Sequence, residues 1–513
     1  MPSRRRFLAQ AAVLAVAAPR GFAATPRFEA DPFTLGVASG YPSPDGFVLW
    51  TRLAPEPFAP GGGMAPVAVP VHWEVAEDEH FGAVVASGTS WAEPAWGHSV
   101  HVETARLAPG RAWFYRFHCG DATSAVGRTR TAPAADASPA RLRFAVASCQ
   151  HFEHGHYAAY RHMLDDELDF VLHLGDYIYE STWGPVHVRS HEAVREPTTL
   201  EDYRAHYACY RGDRALQAMH AAVPWLLVWD DHEVENDYAN DRSQNLDPRD
   251  WFLARRAAAY QAYYEHMPLP RSMLPFGPDM RIHTTVDHGR LARFYLLDDR
   301  QYRSYQPCPR PGRGGSNIIE GCAAIGDPAA TMLGAQQEAW FAAMLGASKS
   351  AWNLVGQQTL IGPSDGKPGP GERWYTDIWD GYPAARRRFT DSLVASRAAN
   401  PVTFGGDVHS FWVNDLKRDF TRPESDTIAT EFVTTSISSN PAPEGIIENA
   451  LAANPGHIRY AVSGPRGYLR VEVTAAGMHT ELRALDDVTR ADSGCATLKR
   501  YAVTAGRAGA EEA

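Results

Sequence analysis

No run of about 18 apolar residues occurs in this 513-residue chain, so the sequence offers no membrane-spanning helix. It also lacks a stripe of Lys and Arg. With a formal net charge of −11, nucleic acid is not expected as the main partner, because neutralising phosphates takes a basic surface. Cysteine is sparse. Cys119, Cys149, Cys209, Cys308, Cys322 and Cys495 suit an oxidising compartment but are too few for a dense disulfide framework. Cys308 and Cys322 flank the Pro/Gly-rich loop Pro309 to Gly321 and are the pair expected to bridge. Closing such a loop is worth roughly 3 kcal/mol in the chain-entropy model.

The remaining composition, 44% apolar and 21% charged, is that of a globular protein. The chain is too long for one core, and two domains are expected. The N-terminus reads as an address rather than as fold. Ser3-Arg-Arg-Arg-Phe-Leu8, an alanine-rich run to Ala18 and Gly21-Phe-Ala-Ala24 have the basic region, short apolar region and small-residue cleavage site of a secretory signal over residues 1–24. The paired arginines followed by Phe-Leu resemble a twin-arginine signal, which implies folded export to the periplasm or beyond.

From about Phe33 to Thr131, short segments alternate with turn signals: Gly46–Thr51, Val69–Val75, Ser99–Glu103 and Trp113–Phe117. They predict an antiparallel β-sandwich of immunoglobulin or fibronectin-III type over residues 30–133. Nothing in it clusters metal ligands or nucleophiles. After a linker rich in Ala, Pro and Ser, the pattern becomes α/β over residues 141–505. Leu142–Ala147, a helical stretch over 157–164 and Phe170–Leu174 form a strand, helix, strand unit, hence a parallel pair with a right-handed crossover. Thr199–His220 reads as one helix, Pro224–Asp230 as a buried strand and Trp251–His266 as an amphipathic helix. Strands are also expected near Leu291–Leu297, Trp352–Gln357 and Pro401–Phe404. Glu431–Thr435 and Gly467–Val473 are assigned to a second sheet.

Residues that carry chemistry follow these strands. Gly175 lets the chain turn sharply, so that Asp176 sits at a strand's carboxyl end with Tyr179 one turn further on. Cys149, the run Asp230-Asp-His-Glu-Val-Glu-Asn236, and Asp407-Val-His409 occupy the corresponding places after other strands. Thiolate, phenolate, imidazole and carboxylates together point to two metals, the softer and phenolic ligands favouring iron and the oxygen ligands a hard divalent ion. Two metals about 3.5–4 Å apart suit phosphoryl transfer.

The motifs Ala147-Ser-Cys-Gln150, Gly175-Asp-Tyr-Ile-Tyr-Glu180, Trp229-Asp-Asp-His-Glu-Val-Glu-Asn236, Trp379-Asp-Gly-Tyr-Pro383 and Gly406-Asp-Val-His409 resemble those of metallophosphoesterases related to purple acid phosphatases. They are most similar to PhoD-type alkaline phosphatases and phosphodiesterases, in which Cys replaces the first Asp. The resemblance implies a metallophosphoesterase-like two-sheet α/β sandwich behind the small all-β domain, and hydrolysis of phosphate mono- and diesters by a metal-bound hydroxide. It further implies that Cys149, Asp176, Tyr179 and His409 hold Fe(3+), with Asp176 bridging to Ca(2+). Asp231, Asn236 and Asp407 resemble the calcium ligands, Arg204 a phosphate-binding arginine, and His232 the general acid or substrate-orienting histidine. The sequence departs from purple acid phosphatases in having Asp231 where an Asn stands and no histidine after Val355. This favours calcium at the second site.

Residue chemistry alone leaves alternatives open. Cys149 could form a disulfide with Cys119 or Cys209, Arg204 could join a helix-surface ion pair, and His232 could hold Asp231 or a water. Expected substrates are small phosphate esters, including phospholipid or nucleotide diesters. The rival from another class is a non-catalytic, calcium-stabilised surface-binding protein.

Overall fold

The computed structural model describes residues 26–184, 187–191 and 195–513. The predicted signal over 1–24 lies outside the described residues. Among those described, no helix is long and apolar enough to cross a membrane.

Two large sheets face each other. The first contains the parallel strands Leu142–Ala147, Phe170–His173 and Trp225–Leu227. The second contains the parallel strands Ala292–Leu296, Trp352–Gly356, Pro401–Gly405 and Thr427–Val433. The strands are short apolar runs because both faces are covered. Between the sheets, Phe144 lies edge-to-face 5.2 Å from Phe294 and 5.5 Å from Phe404, ring centre to ring centre. Edge-to-face aromatic pairs of this kind contribute about 0.5–1.5 kcal/mol each beyond area burial. Alternation along a strand then sends the next side chain outward. Phe294 joins the inter-sheet core, while Tyr295 packs with Phe341 and Phe389 of the helices Gly334–Gly346 and Pro383–Ser396.

Three sequence expectations change. Gly467–Val473 belongs to the first sheet, antiparallel to Leu142–Ala147, and only Thr427–Val433 joins the second. The predicted helix Thr199–His220 is two helices, Leu200–Arg211 and Arg214–Ala222, because Asp213 caps the second by accepting from the amides of Ala215 and Leu216. The N-terminal all-β region is also joined to the α/β part. Val37–Ser43, Gly46–Arg52 and Ser99–Glu103 extend the first sheet, the junction being a parallel pairing of Gly40 with Trp225. A separate five-stranded sheet closes the sandwich over Leu49, Val71, Val75, Trp113 and Phe117. One face of the N-terminal sandwich is therefore continuous with the sheet that carries Cys149 and Asp176.

Candidate metal centre

Backbone conformation marks the site. Cys149 (φ 59°), Asp176 (54°), Asp407 (64°) and His409 (49°) all occupy the left-handed region. A non-glycine residue there costs on the order of 1–3 kcal/mol and persists only where its surroundings hold it. Here the Cys149 amide donates to the Gly175 carbonyl at 3.2 Å, and the Gln150 amide to the Asp176 carbonyl at 3.0 Å. The buried Glu233 carboxylate accepts from the amides of Asp176 (3.2 Å), Tyr177 (2.6 Å) and Asp230 (2.8 Å). Gly175 cannot be replaced cheaply, since a Cβ there would lie 2.5 Å from the Cβ of Asp230. These contacts clamp the strand ends to one another.

The ligating atoms form overlapping groups. Within each of the sets Cys149/Asp176/His409, Asp176/Asp231/His232, Asp230/Asp231/Asp407 and Asp231/Asp237/Asp377, the atoms lie within 4.8 Å of one another. Asp176 joins the first two sets, and Asp231 the last three. The Tyr179 hydroxyl donates to Asp176 Oδ2 at 2.9 Å and lies 3.0 Å from His409 Nε2. His409 Nδ1 lies 2.7 Å from the Asn440 carbonyl, which selects the tautomer protonated at Nδ1 and leaves the Nε2 lone pair directed at the cluster. Asp176 Oδ1 is buried and has no hydrogen-bond partner. An orphaned carboxylate oxygen among sulfur, nitrogen and phenolic donors fits a cation.

Electrostatics agree. Burial pushes the Cys149 thiol and the Asp176 and Asp230 carboxyls well up, and raises Asp407 to about 6. Burial opposes ionisation of Asp231 as well, but the charges of Arg300 and His232 hold it at about 2. Burial would lower His232; the carboxylates of Glu180, Asp176 and Asp231 instead raise it well above the ordinary range. A bound cation would favour the ionised forms of Cys149, Asp176 and Asp230, which burial disfavours.

The N-terminal region, over residues 17–133, matches the family model "PhoD-like phosphatase, N-terminal domain", and residues 144–482 match "PhoD-like phosphatase". The chain is 44% identical to alkaline phosphatase D of Bacillus subtilis (strain 168) over 483 residues, covering 92% of this chain and 81% of that protein. It also superposes on the solved structure of PhoD with a TM-score of 0.90 and 43% identity, over 95% of this chain and 93% of that one. The chain belongs to the PhoD-like phosphatases. It is a phosphoric ester hydrolase of a metal-dependent family, with the expected mixed α/β fold and all-β N-terminal region.

In this PhoD-like phosphatase, Asp176, Asp231, His232, Asn236, Asp407 and His409 line one cavity of about 830 Å³. Cys149 and Tyr179 lie buried beside it. Cys149 is in no disulfide; the bridge found joins Cys308 to Cys322, as the loop composition predicts.

Arg204 requires correction, because the structure does not bring it to this cavity. Its Nε donates to Glu265 at 2.6 Å, and its two terminal nitrogens meet Glu265 and Glu201 at 2.5 Å. It lines a separate depression with Arg52 and Arg195. Its guanidinium is consumed in tying the helix Leu200–Arg211 to the helix Arg249–His266.

Sequence reasoning also missed residues that the fold delivers. Glu180 Oε2 lies 2.6 Å from His232 Nδ1, and its Oε1 accepts the Asn236 amide at 2.9 Å. Arg300, fully buried, bonds Asp230 and Asp377 (2.7 Å for the latter) and stands 3.6 Å from Asp231 and 3.9 Å from Asp407. The Thr359 hydroxyl donates to Asp407 Oδ2 at 2.6 Å. Arg300 follows the strand Ala292–Leu296, as the candidate ligands follow theirs, and that placement was the available signal.

Proposed function

We propose that this chain hydrolyses phosphate mono- and diesters at the cavity over Asp176. The observation that carries the proposal is the overlap of ligand groups at Asp176 and Asp231, which suits two cations with shared carboxylates. Cys149, Asp176, Tyr179 and His409 would hold Fe(3+), whose affinity for phenolate and thiolate they match. Asp176, Asp231, Asn236 and Asp407 would hold Ca(2+), an all-oxygen site. When bound, the two cations supply the charge that activates the water nucleophile and offsets the negative phosphoryl oxygens.

The protein's own groups do the rest. Asn440 fixes the His409 ring, and Glu233 fixes the backbone that presents Asp176. His232, kept protonated by Glu180, donates a proton to the departing alkoxide. Export by the twin-arginine route to the periplasm or cell exterior is consistent with the N-terminal residues and would let metals load before export. Phospholipid or nucleotide diesters are proposed substrates beside small monoesters, and the cavity of about 830 Å³ supports that reading.

Purified enzyme assayed on p-nitrophenyl phosphate and bis-p-nitrophenyl phosphate tests the reading. Hydrolysis of both, abolished by chelation and restored by iron with calcium, is expected. Chelator-resistant activity, or none on the diester, contradicts it.

A further inference from the structure

The loop that joins Cys308 to Cys322 forms one wall of the catalytic cavity, to which it contributes Arg313 and Ile318. It is fastened at several points. The Gly314 amide donates to the Gln244 carbonyl at 2.8 Å, and the Ser316 amide to Asp237 Oδ2 at 2.9 Å. Asn317 bonds the Cys308 carbonyl at 2.9 Å, and Ile318–Ile319 pairs with Trp374–Tyr375. Gly315, at φ 74°, lets the backbone approach so closely that a Cβ would lie 2.8 Å from the Asp237 Cβ.

The charge of the cavity makes this wall significant. Asp176, Asp231 and Asp407 would carry the cations, but Glu180, Glu235 and Asp237 also line the cavity, so an anionic ester enters past carboxylates. Two arginines line it as well. Arg373 is neutralised by Glu320 through Nε at 2.9 Å and a terminal nitrogen at 2.8 Å. Arg313 is exposed and, among the described residues, is found in no ion pair; one terminal nitrogen bonds Gln244 Oε1, the oxygen that also accepts from Asn236 Nδ2. One end of its guanidinium is thereby fixed, and the other donors remain available in a fork that matches phosphate oxygens.

We infer that Arg313 is the residue that binds the anionic group of the substrate, and that the Cys308–Cys322 disulfide positions it. The inference deepens the phosphoesterase reading and rests on it. A cation held at one end through Gln244, beside Asn236, has donors free for a binding role, which Arg204, consumed by carboxylates, does not.

The test uses Arg313→Ala, Arg313→Lys and the double variant Cys308→Ser/Cys322→Ser. KM and kcat on p-nitrophenyl phosphate, competitive inhibition by inorganic phosphate, and metal content are measured for each. Loss of a charge-assisted contact should raise KM and the phosphate inhibition constant about tenfold in Arg313→Ala. Arg313→Lys should fall between it and the parent, with metal content unchanged in both. The double cysteine variant should show the same weakening of phosphate binding with its metals retained. Unchanged phosphate inhibition in Arg313→Ala overturns the inference, as does metal loss in that variant, which would make Arg313 a support for Gln244 and Asn236. Phosphate inhibition unchanged in the double variant overturns the positioning role of the disulfide. A parent enzyme inactive on the ester would instead refute the reading beneath.

Discussion

Glu180 Oε2 and His232 Nδ1 stand 2.6 Å apart, both buried, at the edge of the candidate metal-binding cluster. Glu180 favours the protonated imidazole, and a role for His232 in proton donation would show in the leaving group. Glu180→Gln should lower kcat on an alkyl phosphate by on the order of 10²-fold while affecting p-nitrophenyl phosphate, whose leaving group needs little protonation, far less. Equal losses on both esters would remove proton donation from His232's role.

Arg204 holds helices together, so its loss should be felt in stability and not in substrate binding. Arg204→Ala leaves the buried Glu265 without its ion-pair partner, Gln261 alone still donating to it, which costs about 3–5 kcal/mol. Urea unfolding should show this loss, with KM on p-nitrophenyl phosphate unchanged in the fraction that remains folded. A raised KM with parental stability would return Arg204 to the catalytic machinery.

The difference between these residues shows what was legible in the sequence. Asp176, Tyr179, Asp407 and His409 are set by local turns after buried strands, and such turns are written in neighbouring residues. Cys308–Cys322 was legible from loop composition. Arg204 was misassigned because helical spacing gives a face without saying which neighbour covers it; Glu265 is 61 positions away. Glu180 and Arg300 were missed for the same reason, their partners lying 52 and 70 or more positions off, although Arg300's place after a strand was a signal. The joining of Val37–Ser43 to the catalytic sheet rests on one pairing, Gly40 with Trp225, for which no local pattern exists.

The packing of the strand Ser99–Glu103 against the end of the helix Arg249–His266 should depend on pH. His101, in the strand Ser99–Glu103, has Nε2 at 3.0 Å from the carbonyls of both Tyr264 and Met267. Burial lowers its pKa from 6.5 to about 4, although both carbonyl contacts raise it. Since the unfolded chain binds the proton first, its contribution is present above pH 6.5 and is lost as pH falls toward 4. The slope is about 1.4 kcal/mol per pH unit. His101→Gln should therefore make urea stability fall less steeply than in the parent between pH 6.5 and 4.5. Parallel curves would rule His101 out.

Tyr179 touches Asp176 and His409, the proposed iron side of the cluster. A tyrosinate bound to Fe(3+) gives a visible charge-transfer band, so the active protein should be coloured violet to brown. Tyr179→Phe should lose that band, while Asn236→Ala should retain it and lose calcium. A fully active, colourless, iron-free preparation would contradict the iron assignment.

The central claim is that Asp176 is shared by two unlike metals. Metal analysis of the parent and of Asp176→Ala, purified identically, tests it most directly. The parent should carry one iron and at least one calcium per active chain, and the variant should lose both metals together with hydrolysis of p-nitrophenyl phosphate. A variant that retains both metals, or a parent fully active with neither, would contradict it.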